Sequence, residues 1–216
     1  MSDIKQEKET EAVLRKDLAS GGLWLQNSFT GTSIRTGIAD AYLIRAMQTV
    51  INDYFTPDSA GWWHRLGVSW AGMIYRQIET ALLEQPREGV TKPQDILKED
   101  FVETINRYFS FSGIGQFRIT EGNRFYVIDI KNPFIFNIQV EEPTFFVSLL
   151  CGFFDGLFSE LSGKSLQTVL LSDASDKEKL RFAISTTEII GELNKLKSQG
   201  KCEKEILEAY KNQHIL

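Results

Sequence analysis

The sequence predicts an α+β fold, an antiparallel sheet of about four strands packed against helices. Three observations point there. Apolar residues recur every three to four positions across 39–108, two later segments alternate as pairs of short strands, and the stretch between those pairs is apolar around most of a helix. Helices, a strand pair, a long helix, a second strand pair and more helices, in that order, describe segregated elements with the helices on one face of the sheet. The 216 residues, 42% hydrophobic and 25% charged, suit one globular domain with appendages, and two cysteines cannot form a disulfide scaffold. Charge is interspersed and sums to −5, which leaves no electrostatic footprint for a nucleic acid and offers little to an anionic membrane. Fifteen Phe, six Tyr and four Trp against two His describe a chain with a large core and little acid–base machinery.

Residues 1–20 are polar and read as a frayed arm. They match neither a secretory signal nor an Arg-rich transit segment, so a cytoplasmic location is expected. Gly21-Gly22 and the cluster at 31–33 punctuate a loop. Ala39, Leu43, Met47, Val50 and Tyr54 then form one helical stripe. After the break at 57–61, Trp63, Leu66, Trp70 and Ile74 form a second, which ends near Gln85-Pro86. Leu97, Phe101, Ile105 and Tyr108 form a third beyond a loop carrying Gly89 and Pro93, so the first half reads as helical.

At Ser112-Gly113 the period changes. Segments 114–120 and 124–130 read as strands joined by Glu121-Gly122-Asn123, with Phe117 and Ile119 on one face and Tyr126, Ile128 and Ile130 on the matching face. Asn132-Pro133 stops this ladder, and 134–139 reads as an edge strand or an extended loop. Pro143 opens the long helix and Gly163 ends it. Phe146, Leu150, Phe153, Leu157 and Leu161 make one stripe, Val147, Cys151, Phe154 and Phe158 a second, and Ser148, Asp155, Ser159 and Ser162 a polar strip. Such a helix must be covered on two sides, and Gly152 and Gly156 let a neighbouring backbone approach. Its apolar run 145–158 carries Asp155 and is too short to span a bilayer, so no transmembrane segment is expected. Strands follow at 166–171 and 180–184, then a capping box Ser185-Thr186-Thr187-Glu188, a helix to about Ser198, and a last amphipathic stretch after Gly200.

Several of these residues carry a resemblance. Gly113-Ile114-Gly115-Gln116-Phe117, the strand closing on Asn132-Pro133, the run from Gly152 through Asp155-Gly156 to Gly163-Lys164, and Arg181-Phe182-Ala183-Ile184 resemble the 4-vinyl reductase, or hydrocarbon-binding, domain family. That family shares its fold with the small subunits of the TRAPP vesicle-tethering complex. The likeness is best over 95–185, and His64-Arg65-Leu66-Gly67 with Gly72 is similar to an earlier glycine-bearing helix of those domains. The resemblance implies a domain that dimerises through its helices and encloses an apolar pocket between sheet and helices. Members serve as sensory ligand-binding modules, as tethering scaffolds, or as proteins associated with vinyl-group reduction in pigment synthesis. Many carry a cysteine cluster that could hold a metal or act in redox chemistry, but the corresponding places here hold about Val147, Asp173 and Leu180. No metal, cofactor or catalytic residue is therefore assigned. On this basis 21–186 is expected to be the ligand-binding-like domain and 187–216 a C-terminal helical extension.

Other chemistries find less support. Gly163-Lys164-Ser165 lacks the earlier glycine of a phosphate loop, since Phe158 stands there, and it follows a helix rather than preceding one. Gly113-Ile114-Gly115 lacks a third glycine and a following helix. His64 reads as a helix-start or interface residue, because zinc and triad sites need partners. Cys151 on the apolar stripe reads as a buried structural thiol, with a pocket-lining or acylated thiol as the sharper alternative.

Two functional hypotheses remain in front. In one, the protein is a non-enzymatic homodimeric module binding a lipid-like or pigment-like small molecule, with Trp70, Phe117, Tyr126, Cys151, Phe154 and Phe158 as candidate ligand-binding residues. In the other it is a TRAPP-like tethering scaffold with no free pocket. An auxiliary role in tetrapyrrole or pigment metabolism is a third reading, and an enzyme would need a borrowed cofactor.

Overall fold

The computed structural model describes residues 14–17, 22–26, 33–36, 49–50, 53, 58–84, 89–96, 101–102, 105, 114–121, 124–133, 144–173 and 178–211. Among the described residues seven strands run β1 (Leu14–Asp17), β2 (Gly22–Gln26), β3 (Ser33–Thr36), β4 (Gln116–Glu121), β5 (Tyr126–Lys131), β6 (Gln167–Leu170) and β7 (Lys179–Ser185). The long helices are α1 (Ser59–Glu84), α2 (Thr144–Ser162), α3 (Thr187–Ser198) and α4 (Glu203–Lys211), with a 3-10 turn at Pro93–Asp95 between α1 and β4.

The expected α+β fold is present. The main sheet is antiparallel throughout, in the order β4-β5-β7-β6. Its register pairs Phe117 with Ile130 and Ile119 with Ile128 across the hairpin, then Ile128 with Phe182 and Ile130 with Leu180. The alternation seen in the sequence therefore sends these side chains to one face, where they join Trp63, Ala71, Ile74, Leu150, Phe153, Phe154 and Leu157 in a single core.

Helices cover both faces, which corrects the one-face expectation. Phe125, Val127 and Ala183 point the other way and pack against Ile189, Ile190, Leu193, Ile206 and Tyr210 of α3 and α4. Asp129 and Arg181, paired in register, lie on this second face and form a two-point ion pair, Nε to Oδ1 at 2.5 Å and Nη2 to Oδ2 at 2.9 Å. Glu203 at the start of α4 accepts a further bond from Arg181, and Lys179 lies 3.6 Å from both carboxylates. The network tethers α4 to the sheet by charge as well as by apolar burial.

The first half is not wholly helical. A strand, Leu14–Asp17, occupies part of the presumed polar arm, and together with Gly22–Gln26 and Ser33–Thr36 it forms a three-stranded antiparallel sheet where a loop was expected. Gly22 opens the second of these strands, opposite Asp17 at the end of the first. Residues 49–50, 53, 101–102 and 105 are helical, within the segments predicted for the first and third helices, and include Val50, Phe101 and Ile105 of the predicted stripes. The remainder of those two helices, and the question of a strand at 134–139, lie outside the described residues.

α1 and α2 run side by side in the same direction. Trp63 stacks near Phe145 with centroids 4.9 Å apart, and Trp70 near Phe153 at 4.3 Å. Between them the backbones touch. A Cβ at Gly152 would collide with the His64 carbonyl group, and one at Gly67 would lie 2.7 Å from the Phe153 nitrogen. One turn further on, a Cβ at Gly156 would lie 2.9 Å from that of Ala71. Gly163, at φ 65°, ends α2 in the left-handed conformation a helix-stop glycine supplies. By length and composition alone Phe145–Ser162 could cross a membrane, but here its apolar stripes are packed between the sheet and α1.

The predicted capping box before α3 does not form. Thr186 is the N-cap and makes no side-chain cap bond, whereas Ser185 is the last residue of β7 and its hydroxyl donates to the Arg124 carbonyl at 2.7 Å.

Candidate functional site

Where α2 ends, the packing opens. A cavity of about 320 Å³ lies between Phe158 and Leu161 of α2, Ile119 and Tyr126 of the β4–β5 hairpin, Leu166 beyond α2, and Pro93, Gln94, Ile96, Phe101 and Val102. Its walls are mostly apolar, a composition and size that suit a small organic molecule.

Hydrogen bonds hold its rim. The Asp95 carboxylate accepts from the Thr91 amide at 3.0 Å, the Thr91 hydroxyl at 2.8 Å and the Lys92 amide at 3.2 Å, which holds its pKa below the usual carboxylate value. These bonds close the turn that buries Pro93. Gln94 donates through Nε2 to the Tyr75 hydroxyl at 2.6 Å and to the Glu160 carbonyl at 2.9 Å, so the turn is fixed to both α1 and α2. On the far side the Leu166 amide donates to the Ser159 hydroxyl at 2.9 Å, bringing the chain after α2 back against the helix.

Of the six residues singled out in the sequence, Tyr126 and Phe158 stand in the cavity wall. Phe154 is completely buried, with ring centroids 5.5 Å from Phe182, 5.7 Å from Phe153 and 5.9 Å from Phe117. Phe117 and Trp70 belong with it to the packed interior that supports the cavity. Cys151 packs beside the same core as a residue of intermediate exposure. Burial first, and the Asp155 carboxylate second, push its thiol up to about 12. A thiol in that state is a poor nucleophile near neutral pH.

His64 has the partner that the sequence did not reveal. Its Nε2 lies 2.8 Å from Oδ2 of Asp155, 91 positions away. Burial is the largest influence on Asp155 and raises its pKa, while neighbouring Thr168 and His64 pull the other way. The pair ties α1 to α2, and the signals for it were an acid on a largely apolar helix and a single histidine in the fold. Among the described residues, no three His, Cys, Asp or Glu side chains cluster as a metal site.

A second cavity, of about 380 Å³, adjoins the first. Its walls include Arg124, Lys164, Glu121, Ser185 and Thr186, and it shares Tyr126, Ser162 and Leu166 with the apolar one.

The chain shares its fold with a protein domain of known structure. It is similar, at TM-score 0.56 and 15% identity over 84% of this chain and 90% of the other, to the phenol-responsive sensory domain of the transcription activator PoxR, solved with phenol. A vinyl-4-reductase family protein from Methanocaldococcus jannaschii also aligns, at TM-score 0.46 and 16% identity over 69% of this chain and 83% of that one. No family model and no curated protein matches the sequence. At these identities the likeness is one of fold, and the site must be read from its own residues.

Proposed function

We propose that this protein is a non-enzymatic module that binds a small hydrophobic molecule in the cavity at the end of α2. The observation that carries the reading is the cavity of about 320 Å³, walled by Phe101, Ile119, Tyr126, Phe158, Leu161 and Leu166. Its volume is near the lower end for organic ligands, which favours a single ring or a short chain over a tetrapyrrole. The fold shared with a phenol-responsive domain supports the same class of ligand. In this reading 21–186 carry the site, the extension 187–216 covers the far face of the sheet through its helices α3 and α4, and the protein works in the cytoplasm.

The homodimer and scaffold reading has its own support. Trp62 and Met73 lie on one side of α1 and are exposed, Met73 at 52%, and a Cβ at Gly72 beside them would meet nothing within 4 Å. Exposed apolar side chains beside an open glycine suit a second copy of the chain.

Native mass spectrometry of gently purified full-length protein, followed by calorimetry with 4-phenylbutanol, tests both readings. The expected result is a dimer mass, a saturable heat of binding, and affinity at least about tenfold weaker in Leu161→Trp, whose added bulk enters the cavity. A folded protein that binds neither 4-phenylbutanol nor toluene and carries no co-purified apolar molecule would remove the ligand reading. A monomer mass at micromolar concentration would remove the dimer.

A further inference from the structure

We propose that the ligand is an apolar acid, its hydrocarbon body in the cavity at the end of α2 and its carboxylate in the adjoining polar cavity. This inference rests on the binding function proposed above and assigns its ligand a headgroup. Tyr126, Ser162 and Leu166 line both cavities, so the two meet at a shared wall and one molecule of modest length can span them.

The second chamber has the opposite character to the first. Lys164 stands directly after the helix-ending Gly163, and among the described residues its ammonium group has no carboxylate partner. Arg124 faces the same space from just before β5, and among the described residues its one ion pair is a long contact of 3.5 Å with the exposed Glu192. A pair so long and so exposed is weak, and a ligand carboxylate can displace it. Thr186 brings the N-terminus of α3 to the chamber without capping it, so the positive end of that helix faces the same space. The opposing charges are Glu121 in the wall, Glu188 in the first turn of α3 and Glu192, the partner of Arg124. Of the charged side chains that line the chamber two are cations and one is a carboxylate, with Glu188 and Glu192 standing outside its wall.

An apolar molecule without a charge would leave Lys164 and Arg124 with water, gaining only from the first cavity. A free anion such as acetate would gain only from the second, where exposed charges alone bind weakly. Only a molecule carrying both parts uses both chambers, and its hydrocarbon fixes the carboxylate at the cations without further orientational cost.

The test is a matched pair of probes on the full-length protein, 4-phenylbutanoate against 4-phenylbutanol, by calorimetry at low and raised salt. The acid is expected to bind about tenfold more tightly than the alcohol at low salt, a preference that shrinks as salt screens the exposed cations. In the double variant Arg124→Gln/Lys164→Gln the ratio of the two affinities should fall to about one, and Lys164→Arg should restore most of it where Lys164→Gln alone does not. Equal binding of acid and alcohol by the unmodified protein, or a preference that survives the double variant, overturns the headgroup assignment and leaves the apolar cavity standing. If neither probe binds, the cavity reading and this inference fall together.

Discussion

Gly152→Ala should destabilise the protein although alanine is the better helix former. The gain from helix propensity is about 1 kcal/mol. Against it, the new methyl group would lie 2.7 Å from the His64 carbonyl carbon and closer still to its oxygen. Ordinary carbon contacts are about 3.5–4.0 Å, so α1 and α2 must move apart by about 1 Å, and a gap of that size forfeits a quarter to a half of each dispersion well across it. The Trp63–Phe145 and Trp70–Phe153 stacks straddle this point and would loosen together. Overpacking of this kind costs about 3 kcal/mol, leaving a net loss of about 2 kcal/mol. For a chain of this size that lowers Tm by about 4–8 °C. Gly191→Ala on α3 is the control, because a Cβ there meets nothing within 4 Å. It should raise Tm slightly through the same propensity term. Differential scanning calorimetry of both variants decides the matter. A Gly152→Ala protein as stable as the parent would refute the claim that the two backbones are in contact at this glycine.

Two further outcomes follow from the titrating groups beside that contact. The pKa of Asp155 is raised in the folded state, so the native protein holds this proton more tightly than the unfolded chain, and its contribution to stability is best at low pH and declines as pH rises through the folded value. Asp155→Asn should therefore gain stability relative to the parent between about pH 4 and about pH 8, read as the difference in Tm; a difference that stays flat would contradict the burial argument. Iodoacetamide at about pH 8 should modify Cys202, which is exposed, and reach Cys151 only in denaturant, because a thiol at about 12 is almost wholly protonated there. Peptide mapping showing rapid labelling of native Cys151 would be the contrary result.

What could be read from the sequence was local. The β4–β5 hairpin follows from the alternation of Phe117, Ile119, Tyr126, Ile128 and Ile130 about a glycine turn, and α2 from Pro143, its stripes and Gly163, because each signal is complete within a few residues. The second covered face was hidden by its chemistry. Asp129 and Arg181 look like solvent-facing positions of alternating strands, and only their pairing in register lets them sit beneath α4. β7 lying between β5 and β6 depends on pairing across more than fifty residues, which no local pattern encodes. The β1–β3 strands are only four or five residues long, with Arg15, Lys16, Asp17 and Arg35 in the outer two, so no sustained alternation marks them and the flanking glycines read as a loop. At the site, Tyr126 and Phe158 were visible as aromatics at element ends. Ile119, Phe101 and Lys164 were not, since each has an ordinary local role and gains its meaning from residues on other elements.

The location of the cavity follows from side-chain size along two helix edges. On α1 the positions facing α2 are Gly67, Ala71 and Tyr75; on α2 the corresponding positions are Gly152, Gly156 and Glu160. The first two steps of this ladder are small, and the helices touch there. At the third step Gln94 links the two helices instead, donating to the Tyr75 hydroxyl and the Glu160 carbonyl. The space beside that bridge is where Phe158 and Leu161 face Ile119 and Tyr126 across the apolar cavity. The glycines thus bring α1 and α2 together near the middle of α2, and a pocket is left where the small residues run out. Gly163 then turns the chain so that Lys164 arrives at the adjoining chamber. A packed contact, an apolar space and a cation follow one another along a single helix within 13 positions, from Gly152 to Lys164.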